Sequence, residues 1–278
     1  IGIDDEDSVS LDDKKNQAGR ELDIVVIRLP KISNFTDFDA LSREPDVSLR
    51  YVRQGESLGT PDMIILPGSK NTTEDLLYLK QQGYETEIQT LAKQGVPVVG
   101  ICGGYQMLGQ TVLDPLHTES DLTELAGIGL LPVVTTFEAE KLTHQVEATQ
   151  GEHSLLGVSR SATLLSGYEI HMGRTEFVGP VFPAFVITRR SGEPVDFADG
   201  VVSENGLVMG TYIHGIFDND DFRRAILDAL RLRKGLPALA GQTLTYSAQK
   251  EAAYDRLADL VRDNLDMAAI RRVMGLAL

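Results

Sequence analysis

Four short apolar runs, separated by stretches of helical character, govern what residues 22–112 can become. They are LDIVVIRLP (22–30), SLRYVR (48–53), PDMIILPGS (61–69) and VPVVGIC (96–102). Short runs rich in β-branched residues and closed by proline or glycine read as buried parallel strands. SNFTDFDAL, from Ser33, follows the first run, with Asn34 and Thr36 as candidate caps. NTTEDLLYLKQQGYETEIQTLAKQG reads as helical, with Asn71 or Thr72 near its start and a break around Gly83. GYQMLGQTV opens the next helix. Alternating strand and helix predicts an α/β fold: a mostly parallel open sheet with helices on both faces. Ligands of such sheets bind at the carboxyl ends of the strands. Residues 67–69 and 100–104 both fall at such ends.

From about residue 127 to 190 the pattern shifts to short β-rich pieces, predicting strands added beside the first sheet. Asn205-Gly206 is a hairpin signal, and the strand leaving it, 207–213, ends at His214. A helix is expected from about Asn219, with Phe222, Ile226, Leu227 and Leu230 on one stripe. Tyr254, Leu257, Val261 and Leu265 recur at helical spacing and predict a C-terminal helical segment packed on the domain. Domain limits follow: a polar, Asp-rich linker over 1–20, one domain over 21–240, and the C-terminal segment over 241–278. The start at Ile1, in IGIDDEDSVSLDDKK, reads as the middle of a longer chain.

Charge and cysteine usage narrow the function classes. The formal net charge of −15 argues against a nucleic-acid partner, which needs a basic patch. The most basic stretch, RRAILDALRLRK (223–234), is spaced as an amphipathic helix with a solvated charged face. No run reaches membrane-spanning length, and no membrane role is expected. One cysteine in 278 residues rules out an internal disulfide framework and points to a reducing, cytoplasmic setting. No metal site is expected, since neither H-E-x-x-H nor CxxC occurs, and the DDED at 4–7 reads as a solvated tail. No G-x-x-x-x-G-K-[ST] phosphate loop is present; PGSKNT only superficially resembles one.

That single cysteine, Cys102, lies in GICGGYQMLG (100–109), where a strand should turn sharply into a helix. Glycines at 100 and 104 give G-x-C-x-G, a relative of the hydrolase nucleophile elbow. A thiol there meets the unsatisfied N–H groups of a helix start, and the Gly103 N–H can face an oxyanion. A buried structural cysteine is the competing reading. Of five histidines, His214 in TYIHGIF is the best placed as a base, at a strand end beside Gly215. His171 in GYEIHMG is second, while His117, His144 and His153 lie in ordinary polar contexts. Gly68 offers a second N–H at a neighbouring strand end.

LPGSKNT (66–72), GICGGYQMLG (100–109) and GTYIHGIFDN (210–219) together resemble the class I glutamine amidotransferases. GIDDEDSVSL (2–11) and GYEIHMGRT (167–175) resemble their corrinoid-amidating branch. The likeness implies Cys102 as nucleophile, His214 as base, Gly68 and Gly103 as oxyanion donors, and Gln106 shaping a glutamine pocket. It implies glutamine as substrate, and ammonia delivered to an N-terminal synthetase domain, fused or separate, that uses ATP and Mg2+ on a corrinoid. No cofactor is implied in this chain. The amidated groups would be the b, d, e and g carboxylates of adenosylcobyrinic acid a,c-diamide. Many class I members carry a glutamate two residues after the histidine, where this chain has Ile216. A backbone carbonyl or Glu169 could orient the ring instead, or Glu169 and His171 could face the corrinoid or the domain interface. A sister amidotransferase acting on cobyrinic acid or on the cell wall, another cysteine hydrolase of this fold, and an inert binding domain are the alternatives.

Overall fold

The computed structural model describes residues 19–158, 164–239 and 245–276. The Asp-rich stretch expected as a linker lies outside the described residues over 1–18. The first half holds β1 (Leu22–Ile27), β2 (Ile32–Ser33), α1 (Asp39–Ser42), β3 (Val47–Val52), β4 (Met63–Leu66) and β5 (Gly68–Ser69). It continues with α2 (Thr72–Gln81), α3 (Tyr84–Lys93), β6 (Val98–Ile101) and α4 (Gly103–Leu108). Then come β7 (Thr111–Leu113), β8 (Glu124–Ala126), β9 (Val133–Gln150), β10 (Leu165–Phe177), β11 (Phe185–Arg190) and β12 (Glu193–Asp199). The hairpin strands β13 (Val201–Val202) and β14 (Val208–Thr211), the short β15 (Ile213–His214), and helices α5 (Asp220–Arg233), α6 (Tyr246–Asn264) and α7 (Met267–Val273) complete the order.

Six strands form the expected sheet, ordered β13-β14-β6-β4-β1-β3, with helices on both sides. All its pairings are parallel except the β13–β14 hairpin. The apolar runs become its centre: every residue of β4 and β6 is buried, and Ile24 to Ile27 are fully so. Burial on both faces is why these strands read as continuous apolar runs. Asn71 caps α2 by accepting the Glu74 N–H at 2.8 Å, and Gly83, at φ 78°, separates α2 from α3. Asn34 does not cap by its side chain; it begins a 3₁₀ turn over Phe35–Phe38.

The β-rich region does not extend this sheet. It builds a second, seven-stranded sheet with the path β12-β11-β9-β10-β15 and with β7 and β8 alongside. The strand expected to run unbroken to His214 divides: β14 stays in the first sheet, while β15 pairs with Tyr168 and Glu169 of β10. α4 also ends sooner than expected, at Leu108, and the chain turns into β7. The basic helix α5 carries the expected buried stripe, but its arginines are not simply solvated. Arg223 pairs with Glu44 at 2.7 Å, and Arg231 with Asp46 at 3.0 Å, all four buried. Among the described residues no helix is long and apolar enough to cross a membrane.

The chain's contacts divide into two compact units, one over Asp7–Leu239 and one containing the C-terminal helices. In that second unit α6 is capped by Thr245, whose hydroxyl accepts the Ala248 N–H at 3.1 Å, and α7 by Asp266. Tyr254, Leu257 and Leu265 of the apolar stripe are exposed.

Candidate active site

Cys102 sits where β6 ends and α4 begins, at φ 52° and ψ −110°. A non-glycine residue held there is strained, the hallmark of a nucleophile elbow. The bracketing glycines permit it by close approach. A methyl group on Gly104 would stand 2.0 Å from the Leu66 carbonyl oxygen, and one on Gly100 2.6 Å from that of Gly104. Cys102 is buried, and its sulfur lies 3.6 Å from the Ile170 carbonyl oxygen of β10.

Gly68 and Gly103 flank this elbow. A methyl on Gly103 would lie 3.0 Å from the Ser69 nitrogen, and one on Gly68 3.2 Å from Cε1 of His214. The structure therefore brings Cys102, Gly103, the Gly68–Ser69 strand and the His214 ring to one sheet edge. Gln106 joins them from α4, but its own groups are already engaged. Its Oε1 accepts from Thr72 Oγ1 at 2.9 Å, and its Nε2 donates to Met172 O and Tyr212 Oη.

The group that orients His214 is one the sequence reading missed. Nδ1 of His214 lies 2.7 Å from Oδ2 of Asp37, and both residues are buried. The other oxygen of Asp37 accepts the Gly215 N–H at 3.0 Å. Neither Glu169 nor a backbone carbonyl fills this place. Glu169 is held by Arg190 through two hydrogen bonds, of 2.9 and 3.0 Å. Tyr168 stacks on the His214 ring at 5.0 Å and accepts a hydrogen bond from Asn34 Nδ2 at 2.9 Å. Burial would depress the His214 imidazole, but the Asp37 carboxylate and the Cys102 sulfur together push it up to about 10. His214 thus carries its proton at neutral pH. Its Nε2 is buried and makes no hydrogen bond among the described residues.

A cavity of about 280 Å³ opens on Cys102. Glu119, Lys70 and Lys141 line it, together with Gln106 and His171. Burial pushes the Glu119 carboxyl up to about 7, against the backbone N–H groups of Thr73 and Thr72 that pull it down. His171, the second candidate base, turns its Nδ1 to the Gly173 carbonyl oxygen at 3.3 Å. Among the described residues no cluster of three metal-ligating side chains occurs.

The parallel sheet, the strained cysteine at a strand's carboxyl end and the buried His–Asp pair beside it define a chain of the class I glutamine amidotransferase type. One chain of the PurLQS structure from Thermotoga maritima shares the fold, with a TM-score of 0.59 at 19% identity, over 76% of this chain and 99% of that one. The family profile of the CobB/CobQ-like glutamine amidotransferase domain matches residues 23–222, and the chain belongs to that family. It is 46% identical to the cobyric acid synthase of Desulforamulus reducens and 48% to that of Moorella thermoacetica, in each case over 99% of this chain. Those alignments cover 54% and 53% of the two relatives, so the chain spans about half the length of the curated relatives it matches.

Proposed function

We propose that this chain hydrolyses the side-chain amide of glutamine through a Cys102 thioester and supplies the ammonia for corrinoid amidation. The observation that carries the reading is the strained Cys102 beside His214, whose Nδ1 is held by Asp37 and whose buried Nε2 makes no hydrogen bond among the described residues. The cavity supports the substrate class. Glutamine has a zwitterionic head, and one carboxyl, Glu119, with two lysines, Lys70 and Lys141, line the space beside the sulfur.

The thiolate of Cys102 attacks the amide carbon, forming a C–S bond and moving the carbonyl electrons onto oxygen. The N–H groups of Gly68 and Gly103 are the proposed donors to that oxyanion. Protonated His214 gives the Nε2 proton to the amide nitrogen, the C–N bond breaks, and ammonia leaves. Water then attacks the thioester, His214 Nε2 takes its proton, and glutamate departs as the thiolate is restored. Asp37 keeps Nδ1 protonated throughout, so that Nε2 remains the exchanging atom.

The synthetase reaction belongs to the proposal through the longer relatives. ATP and Mg2+ would act in a synthetase domain, fused or separate, that activates the b, d, e and g carboxylates of the corrinoid diamide. Glutamate release from glutamine, measured beside Cys102→Ala, tests the first half. Release that vanishes in the variant, and rises when a separately made synthetase domain, ATP, Mg2+ and the corrinoid diamide are added, supports the whole reading. Release indifferent to those additions favours a free-standing hydrolase. No release from folded protein in either sample leaves a binding domain that kept the elbow.

A further inference from the structure

A second cavity, of about 470 Å³, takes no part in the steps above. Glu169, His171, Arg190, Asp199 and Tyr212 are among its walls. His171 also lines the Cys102 cavity, so one imidazole stands in the wall of both.

The hydrogen-bonding state of that imidazole is unusual. His171 is only 8% exposed and stacks on the Tyr212 ring at 3.8 Å. Its Nδ1 faces the Gly173 carbonyl oxygen, which can only accept, so Nδ1 carries the hydrogen. Burial, reinforced by the nearby Arg190 charge, outweighs that bond and brings the ring down to about 4, so it is neutral. Nε2 is then a bare acceptor, buried and without a hydrogen bond among the described residues. The carboxylate facing it is another acceptor: Oε1 of Glu169 lies 3.9 Å away. These two atoms cannot satisfy each other, and a buried unsatisfied acceptor costs about 1–3 kcal/mol. A small donor with two hydrogens resolves the conflict. Its nitrogen would sit off the line between them, about 2.9 Å from each.

We propose that Glu169 Oε1 and His171 Nε2 form a holding site for ammonia, between the Cys102 cavity and the second cavity. The assignment rests on the glutaminase reading for the source of the ammonia. Ammonia gives one N–H to each acceptor and keeps its lone pair for later attack on an activated carboxylate. Arg190 already balances the Glu169 charge, so the site does not draw the molecule into its protonated, unreactive form. Trimethylamine, whose neutral form carries no N–H, cannot bridge the two acceptors.

The test is an NMR titration of the 278-residue chain labelled with 15N-histidine, using added ammonia and no glutamine. His171→Phe identifies the His171 signals by their loss. The expected result is a saturable shift of the Nε2 resonance with ammonia that neither sodium chloride nor trimethylamine reproduces. The apparent Kd in total ammonia should tighten as pH rises, because the neutral form binds. Glu169→Gln turns a carboxamide N–H onto Nε2 and should abolish the titration, with folding checked by circular dichroism. An unresponsive Nε2 means that water alone fills the gap and overturns the site, as does a titration unchanged in Glu169→Gln. Affinity independent of pH means ammonium binds, and overturns the holding role. Ammonia binding in a chain that releases no glutamate would sink the glutaminase reading and leave this site standing.

Discussion

His214 and Asp37 lie 177 positions apart in the chain, yet Nδ1 and Oδ2 meet at 2.7 Å in the buried seam where the two sheets join. Asp37 takes its place on a 3₁₀ turn over Phe35–Phe38, downstream of β1, and β15 pairs His214 with Tyr168. Under the proposed mechanism the contact supplies the third member of a Cys–His–acid arrangement, which Ile216, at the usual glutamate position, cannot.

Asp37→Asn should lower kcat for glutamine hydrolysis by roughly a hundredfold or more, with KM changed little. The amide cannot hold the imidazolium, and it can impose the wrong tautomer. The titration midpoint of His214, followed by NMR, should fall from about 10 in the same variant. Wild-type kcat together with an unmoved midpoint would show that the carboxylate does not position the ring.

Most of the sheet was legible because its strands are buried on both faces, which writes β4 and β6 as unbroken apolar runs and β1 as one interrupted only by Asp23. Cys102 and His214 were legible because each ends such a run beside glycine. The path of the second sheet was not, since β9 and β10 alternate buried and exposed residues and their pairing depends on contacts far apart in sequence. Asp37 was hidden for a related reason. NFTDFD carries no strong local signal, and a carboxylate there becomes a His partner only once β15 leaves the first sheet. One clue was available: the loop after β1 opens at the same sheet edge as the elbow, so its acids were within the region to be searched.

The two buried histidines should shape stability against pH in opposite directions. His214, near 10 when folded and 6.5 when unfolded, makes the folded chain bind more protons between those values. Its stabilisation is therefore full below 6.5 and lost as pH rises toward 10. His171, near 4 when folded, makes the unfolded chain bind more protons between 4 and 6.5, so stability drops as pH falls through that window. On these values the alkaline limb is worth at most about 5 kcal/mol and the acid limb at most about 3 kcal/mol. Urea unfolding at several pH values should show the alkaline limb flattened in His214→Gln and the acid limb flattened in His171→Phe. Parallel curves for wild type and variant would refute the corresponding assignment.

Gly104→Ala should be among the most damaging single changes in the chain. The added methyl would meet the Leu66 carbonyl oxygen at 2.0 Å, and backbone on both sides has little room to yield. A loss of about 3 kcal/mol or more is expected, which corresponds to a fall in Tm of roughly 6–12 °C. Glutaminase activity should fall with it, because α4 must move off β4 and carries the elbow along. A Tm within a degree of wild type would mean that the helix does not need this close approach.

Glu119 gives the sharpest test of substrate choice. Its carboxyl lines the Cys102 cavity, and Oε2 accepts the Thr73 N–H at 3.2 Å. Burial brings it to about 7 in the free chain, so near neutral pH it is only partly ionised. A substrate α-ammonium placed against it would favour the carboxylate, and binding would then tighten as pH rises through 7. Glu119→Gln removes the charge and keeps the shape. The expected outcome is a KM for glutamine raised roughly 10- to 100-fold, with kcat affected far less, since Glu119 lies apart from the elbow's chemistry. The rise of kcat/KM with pH near 7 should flatten in the variant. A glutamine analogue lacking the α-amino group should bind wild type and variant alike. Steady-state kinetics with both substrates across pH 6–8 decide the matter, and an unchanged KM for glutamine would place the amino-acid head elsewhere in the cavity.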